Sequence, residues 1–351
     1  MSMKLLFIGA GAIGSYVGGW LSKEGHDVTI VDPWPEQVEK VRADGIEVKG
    51  PHDTFTAHPA VYHIHEAQLL QADYDIGFIA MKSQDTAWAT HFIRRLVKPE
   101  GYFVSAQNCW NDPVIAGIVG QERAVGLIMS GISVALWEPG VVERGVASGR
   151  SRGHNVFRAG EHDGTITPRV EALAEMLAPI DGSEVTGNLW GQRWSKLSQN
   201  SMGNPLHGMS GLGGSEVSSM REGRLLAINI ARECATVGIK LGYDIPDFGS
   251  QPAERWAASD QGDVFEALDA AMTPDNPNAS PWRASLAQDV HKGRRTEIDY
   301  MNGYIVECGR EAGIPTPVNA AVVDMIHAID NREIAPGPSN IATTLKNAGL
   351  A

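Results

Sequence analysis

Lys196, Asn200 and Asn204 stand four residues apart in RWSKLSQNSMGNPL, residues 193–206. On a helix each such step drifts by about 40°, so the ammonium and both carboxamides fall within an arc of about 80°. A core seam would carry apolar side chains there, and a solvated face would carry more charge. An ammonium can stabilise negative charge developing on an oxygen and hand that oxygen a proton. Asparagine binds hydroxyl and carboxylate groups without adding charge. The stripe therefore reads as one wall of a site for a small polar substrate.

A second group lies at the start of the chain. Gly9-Ala10-Gly11-Ala12-Ile13-Gly14 follows the apolar run KLLFI (4–8) and precedes a helical pattern over 13–24. In that setting GxGxxG suits a dinucleotide. The first glycine permits a tight turn, the second lets backbone approach a pyrophosphate, and the third lets helix pack on strand. The helix N-terminus then offers its unpaired N–H groups to the phosphates. Asp32 ends the run DVTIVD, and no Lys or Arg occurs between 24 and 39. A carboxylate there suits the free ribose hydroxyls of NAD and repels the 2′-phosphate of NADP, so NAD(H) is expected over NADP(H). The bland alternative is that Asp32 caps the turn before Pro33. Lys82 and Asn108 follow two further apolar runs, where an open α/β sheet binds ligand. Singly, each reads as solvated surface or turn; together they mark one edge.

The elements that must hold these residues follow from pattern and composition. The chain has 351 residues and a net charge of -13. That balance argues against a nucleic-acid partner, because such affinity rests on clustered cations. A small anionic ligand remains open, since a few placed cations override the global sign. Cys109, Cys234 and Cys308 are scattered, without disulfide or zinc spacing, as expected of reduced thiols in a cytoplasmic protein. The opening MSMKLLFIGAGAIG is too short and glycine-interrupted for a signal segment, and no apolar run suits a membrane span. His63 and His65, beside Glu66, share a face if they lie on a strand, but further metal ligands are wanting, so surface is the better reading.

Apolar runs at 4–8, 27–32, 74–81, 101–106 and 124–129 alternate with helical patterns, which implies a doubly wound, mostly parallel α/β sheet of Rossmann type. A hairpin is expected within 131–145, a strand over 154–160, a helix near 167–178 and a strand near 183–187. From about residue 188 only helical patterns follow: 189–203, 215–242, 251–272, 281–312 and 318–330, the fourth starting at Ser280-Pro281. The expected domains are 1–187, an NAD(P)-binding unit, and 188–333, an all-α unit, with a loosely helical tail over 334–351.

Several motifs, in order over residues 3–330, resemble the ketopantoate reductases (2-dehydropantoate 2-reductases). They are GAGAIG, Lys82 after a strand, Gln107-Asn108, K-x3-N-x3-N-P at 196–205 and S-x3-QD…RRTEIDY-x-NG at 285–303. The resemblance implies a Rossmann domain joined to a helical domain, with the active site in the cleft between them, and a homodimer. It implies reduction of the keto group of a small 2-oxo acid, ketopantoate by default. Lys196 would protonate the carbonyl oxygen as hydride arrives from the nicotinamide, and Glu297 would orient that lysine or contact the substrate hydroxyl. Asn108, Asn200, Asn204 and Ser285 would bind substrate. Gly9, Gly11, Ala12, Ile13, Gly14, Asp32, Lys82 and Asn108 would meet the cofactor. No metal is implied.

Departures are visible too. Asp32 stands where the family commonly has a basic or neutral polar residue, and His207-Gly208 where it usually has Thr-Ala. Nine tryptophans, among them Trp88, Trp110, Trp190, Trp194 and Trp282, raise the prospect of a bulkier substrate. Two alternatives therefore stand beside the leading one: an NAD-dependent dehydrogenase oxidising a bulkier hydroxy acid or alcohol, and an NAD(H)-sensing protein without chemistry. One geometric objection also stands. Ser285 and Glu297 are twelve residues apart, about 120° on a straight helix, so both reach one ligand only if the helix bends, with Gly293 the candidate.

Overall fold

Uninterrupted apolar runs become buried strands, and the stretches between them wind back as helices. The computed structural model describes residues 2–276 and 284–350. Two units separate, Met1–Leu189 and Trp190–Ala351. The first holds β1 (Lys4–Ile8), α1 (Ala12–Lys23), β2 (Asp27–Asp32), α2 (Pro35–Asp44), β3 (Ile46–Lys49), β4 (Thr54–Ala57), β5 (Ala60–His63), β6 (Tyr74–Ile79), α3 (Thr86–Ile93), β7 (Val97–Ser105), α4 (Asp112–Val119), β8 (Ala124–Met129), β9 (Val134–Glu138), β10 (Val141–Arg144), β11 (Phe157–Gly160), α5 (Pro168–Leu177) and β12 (Ser183–Val185).

Eight strands make the main sheet, in the order β12-β11-β8-β7-β6-β1-β2-β5. Pairing is parallel from β8 through β5, whereas β11 runs antiparallel to β8. Alternate residues of β1 feed opposite faces. Leu5 and Phe7 join Tyr16, Val17 and Leu21 of α1 and Leu173 of α5. Leu6 and Ile8 join Ala89 and Ile93 of α3 and Ile115 of α4. Helices thus cover both faces, as the parallel topology requires. The expected hairpin within 131–145 is β9–β10, turning at Gly140 with φ 76°. It belongs to a separate four-stranded sheet, β4-β3-β10-β9, whose short members β3 and β4 the apolar pattern does not announce.

The second unit holds α6 (Leu189–Ser210) from its second residue on, then α7 (Gly214–Ser219), α8 (Arg221–Lys240), α9 (Ala253–Ala257), α10 (Val264–Met272), α11 (Ser285–His291), α12 (Asn302–Ala312), α13 (Pro317–Asp330) and α14 (Ser339–Asn347). Five expectations change. The helices expected over 215–242 and 251–272 each divide in two, as α7 and α8 and as α9 and α10. The helix expected over 189–203 continues through Pro205 to Ser210. The single helix expected over 281–312 is α11, a 3-10 turn at Ile298–Tyr300 and α12; its Ser280-Pro281 start lies outside the described residues. The tail is an ordered helix, α14, which buries Ile341, Thr344 and Leu345. Among the described residues no helix is long and apolar enough to cross a membrane.

Candidate active site

The carboxyl ends of four strands stand level in the first unit. Ile8 pairs with Val31 and with Ile79, and Ile79 pairs with Ser105. From β1 the chain runs to β2 on one side and later to β6 on the other, which is the switch point where such sheets bind ligand. The glycine turn sits there. Gly9 has φ 107°, and a Cβ on it would meet the Ala80 carbonyl oxygen at 2.7 Å, so only glycine lets the turn approach the end of β6. A Cβ on Gly14 would lie 1.9 Å from the Gly9 oxygen. A Cβ on Gly11 would project into open space, with nothing within 4 Å. No side chain caps α1, whose first intrahelical bond runs from Ser15 N to the Gly11 oxygen at 2.9 Å. The N–H groups of Ala12, Ile13 and Gly14 are therefore the orphan donors of a helix start, beside the space left by Gly11. This cradle fits the pyrophosphate of a dinucleotide.

The turn is held from behind. Asp32 is buried; one carboxylate oxygen accepts Ala10 N, and the other accepts Trp34 N at 2.7 Å. It does cap the turn before Pro33, and it also braces the glycine turn. These bonds fix the carboxylate at the carboxyl end of β2, beside the glycine turn. Gln37, fully buried on α2, was not singled out from the sequence. Its Nε2 donates to the Ala10 oxygen and to Ser15 Oγ, both at 3.1 Å, and its Oε1 accepts Gly140 N at 2.8 Å. Ser15 Oγ donates to the same Ala10 oxygen at 2.8 Å.

Lys82 and Asn108 come together along this edge. Both are half-buried. Gln107 Nε2 donates to the Met81 oxygen at 2.9 Å and to Thr86 Oγ1 at 2.8 Å, tying the residue before Asn108 to the residue before Lys82. Asn111 adds a second tie, donating to Ser83 Oγ at 3.0 Å and to the Asn108 oxygen at 2.8 Å. Asn111 is a buried polar residue just past a strand end, which is the signal that could have found it.

In the second unit Lys196, Asn200 and Asn204 lie along α6, each half-buried. Asn204 Nδ2 donates to Ser285 Oγ at 3.4 Å across 81 residues, which joins two of the expected substrate ligands. Glu297 is buried and sits at the start of the 3-10 turn, not on the helix of Ser285. Gly293, with φ 64°, ends α11 rather than bending it: Arg294 N bonds back to the Asp289 oxygen at 2.9 Å. The objection raised by a straight helix therefore falls away. The Glu297 segment is fixed on both sides. Thr296 Oγ1 donates to Asp330 Oδ2 at 2.8 Å, and Asn302 Nδ2 donates to the Ser201 oxygen of α6 at 3.2 Å.

That last bond explains why α6 survives Pro205. Proline has no N–H for the carbonyl four residues earlier, which is that of Ser201. Asn302 supplies the missing donor and also donates to Asn319 Oδ1 at 2.9 Å. Asn319 Nδ2 in turn meets Glu233 Oε2 at 2.7 Å, and the Glu233 carboxylate accepts Val318 N and Asn319 N at the start of α13. Burial raises the Glu233 pKa, against these hydrogen bonds. His207, one turn past Asn204, accepts Ala284 N at 3.3 Å through Nδ1, and burial pulls its pKa down to about 4.

Trp194 is not placed as a substrate contact. Trp194 is fully buried, donates Nε1 to the Cys234 oxygen at 3.0 Å and packs against Tyr243 and Tyr304. It is core, against the expectation that it borders substrate. Trp282 lies outside the described residues. The His63-Ile64-His65-Glu66 stretch is not a strand either: β5 ends at His63, which contacts Glu39 at 2.8 Å, while Glu66 turns to Arg42. Among the described residues no group of three or more His, Cys, Asp or Glu could hold a metal.

Known proteins are similar to this one over nearly the whole chain. A 2-dehydropantoate 2-reductase of Pyrococcus horikoshii is 27% identical over 329 residues, 93% of this chain and 97% of that protein. A ketopantoate reductase structure from Ralstonia eutropha JMP134 superposes with a TM-score of 0.76 at 23% identity, covering 94% of this chain and 99% of that one. D-mandelate dehydrogenase with NADH and anilino(oxo)acetate superposes with a TM-score of 0.77 at 20% identity, covering 94% and 99%. The family model for ketopantoate reductase PanE/ApbA matches residues 5–151, and that for its C-terminal part matches residues 188–330. With both halves matched in order, the chain belongs to the ketopantoate reductase family of NAD(P)-dependent oxidoreductases.

Proposed function

We propose that this protein reduces the keto group of a small 2-oxo acid, ketopantoate by default, using NADH in preference to NADPH. The observation that carries the reading is the bond from Asn204 to Ser285, which gathers two candidate substrate ligands on the helix that presents Lys196. The backbone of Gly9, Gly11, Ala12, Ile13 and Gly14 would hold the pyrophosphate of a bound dinucleotide, Asp32 would meet its adenosine ribose, and Lys82 and Asn108 would lie beside its nicotinamide. The bound dinucleotide supplies the hydride. As the carbonyl oxygen takes up the electron pair of the π bond, Lys196 Nζ donates it a proton and is left as the amine, which solvent reprotonates. In this reading the Glu297 carboxylate orients the lysine and favours its charged form. Asn108, Asn200, Asn204 and Ser285 hold the hydroxyl and carboxylate groups of the substrate. The 1–187 part thus serves the cofactor and, through Asn108, the substrate, while the 188–333 part serves substrate and proton.

The test is absorbance of NADH and NADPH with a panel of 2-oxo acids that includes ketopantoate, repeated with Lys196→Ala and Glu297→Ala. Loss of a general acid should slow turnover by about 10²-fold or more. If neither substitution does so, the assignment of these residues fails; a clear preference for NADPH removes the role given to Asp32. A second reading, oxidation of a bulkier 2-hydroxy acid with NAD, is favoured by Asp32 and by the fold shared with D-mandelate dehydrogenase. Comparing kcat/KM for mandelate plus NAD with that for ketopantoate plus NADH separates the two.

A further inference from the structure

The start of α11 rests on one short stretch of α6 through three successive residues. Ala284 N donates to His207 Nδ1 at 3.3 Å. Ser285 Oγ accepts Asn204 Nδ2 at 3.4 Å. Leu286 lies over Gly208 so closely that a Cβ there would come within 2.2 Å of Leu286 Cδ2, with Val290 Cγ2 and Ile326 Cδ1 each 3.6 Å away. His207 is eleven residues past Lys196, about 20° from it around an ideal helix, and so inside the arc of the polar stripe. An imidazole that accepts at Nδ1 is neutral and carries its proton on Nε2. Lysine or arginine could not replace it, having no acceptor, and an aliphatic side chain would leave the Ala284 N–H without a partner. Gly208 contributes by absence: any side chain would displace the end of Leu286, the residue that follows Ser285.

We propose that His207 and Gly208 set the seat of Ser285 on α6 and are specificity-determining positioning residues for the acid end of the substrate. The inference rests on the reading that Ser285 contacts substrate. A hydroxyl hydrogen-bonds only within a narrow range of distance and angle, so a small displacement of its backbone removes its contact. The pair acts through Ser285 and takes no part in proton transfer, so its effect falls on substrate affinity rather than on the chemical step.

The experiment compares His207→Phe, which keeps a ring but removes the acceptor, with His207→Asn, whose amide oxygen can accept, and with Gly208→Val. Steady-state kinetics with ketopantoate and NADH are read beside amide hydrogen exchange over residues 284–291. His207→Phe and Gly208→Val should raise the KM for the oxo acid roughly 10-fold, the worth of one good hydrogen bond, with kcat and the KM for NADH within about 3-fold. His207→Asn should recover most of the affinity. Exchange at Ala284 and Ser285 should quicken in His207→Phe while the α12 amides stay unchanged. An unmoved KM, no rescue by asparagine, unchanged exchange, or a joint fall of kcat and affinity for both substrates would each overturn the proposal. If the unmutated enzyme turns over no 2-oxo acid, the functional reading fails and the specificity role falls with it. The exchange measurement then still reports whether His207 seats this segment.

Discussion

Replacing Asn302 by leucine should destabilise the protein by about 2–4 kcal/mol, and replacing Pro205 by alanine as well should remove about half of that loss. The magnitude follows from the partners. Asn302 is fully buried and donates to two acceptors, the Ser201 oxygen at 3.2 Å and Asn319 Oδ1 at 2.9 Å. Each lost bond costs about 1 kcal/mol net, and a buried acceptor left without a partner adds to that. Leucine is close to asparagine in volume, so cavity effects stay small. With alanine at 205, the helix regains an N–H that can reach the Ser201 oxygen, and only the bond to Asn319 Oδ1, which keeps the Cys234 thiol as a donor, is lost. A double-mutant cycle over Asn302→Leu and Pro205→Ala, read by urea unfolding and far-UV circular dichroism, should give a coupling of about 1–2 kcal/mol. The effect of proline on the unfolded chain cancels in the cycle. A coupling under about 0.5 kcal/mol, the ordinary scatter of additivity, would refute the claim that Asn302 stands in for the donor that Pro205 lacks.

Three further outcomes are expected. Gly11→Ala should leave stability within about 0.5 kcal/mol but weaken dinucleotide binding about 10-fold or more by calorimetry, because its Cβ enters the space kept for phosphate; Gly14→Ala should instead cost at least about 2 kcal/mol by its clash with the Gly9 oxygen. Burial alone would raise the Asp181 pKa, yet bonds from Gly149 N, Arg144, Gly182 N and Ser148 hold it well below the usual carboxylate range. Its contribution is therefore present above the unfolded carboxylate pKa of about 4 and is lost as pH falls towards the folded value. Asp181→Asn should cost about 3–5 kcal/mol near neutral pH, since Arg144 stays buried beside it, and the difference from the unmutated protein should shrink in thermal melts at acid pH. Melts whose difference is the same at every pH would contradict this. Trp194→Phe should cost about 1–2 kcal/mol through the lost bond to the Cys234 oxygen. It should leave the substrate KM unchanged; a large rise in KM would return Trp194 to the substrate site.

Much of the first unit is legible because its signals are local. KLLFI, DVTIVD and AVGLIM are unbroken apolar runs, and a run of that kind is buried on both faces wherever it goes. β3, β4 and β5 escaped notice because four residues with mixed polarity carry too little pattern. Gln37 reads as an ordinary polar position on an amphipathic helix; it is buried because Gly140, 103 residues away, closes over it. Glycine and proline were read as helix signals by local rule, and the rule succeeded at Gly293 in kind but not in effect. It marked a break, and the structure made that break a helix end. The helix expected over 189–203 runs on through Pro205, because a side chain from another helix replaces the missing donor.

The glycine turn and the stripe of Lys196, Asn200 and Asn204 were determined by sequence alone, since each is a periodicity among near neighbours. Tertiary structure decided the rest: that Asn204 meets Ser285, that Asp32 and Gln37 brace the Ala10 peptide, that Trp194 is core, and that His207 anchors Ala284. The physical reason is reach. A buried donor must find an acceptor, but the acceptor it finds depends on which helices pack together, and no local pattern encodes a partner some eighty or a hundred residues away.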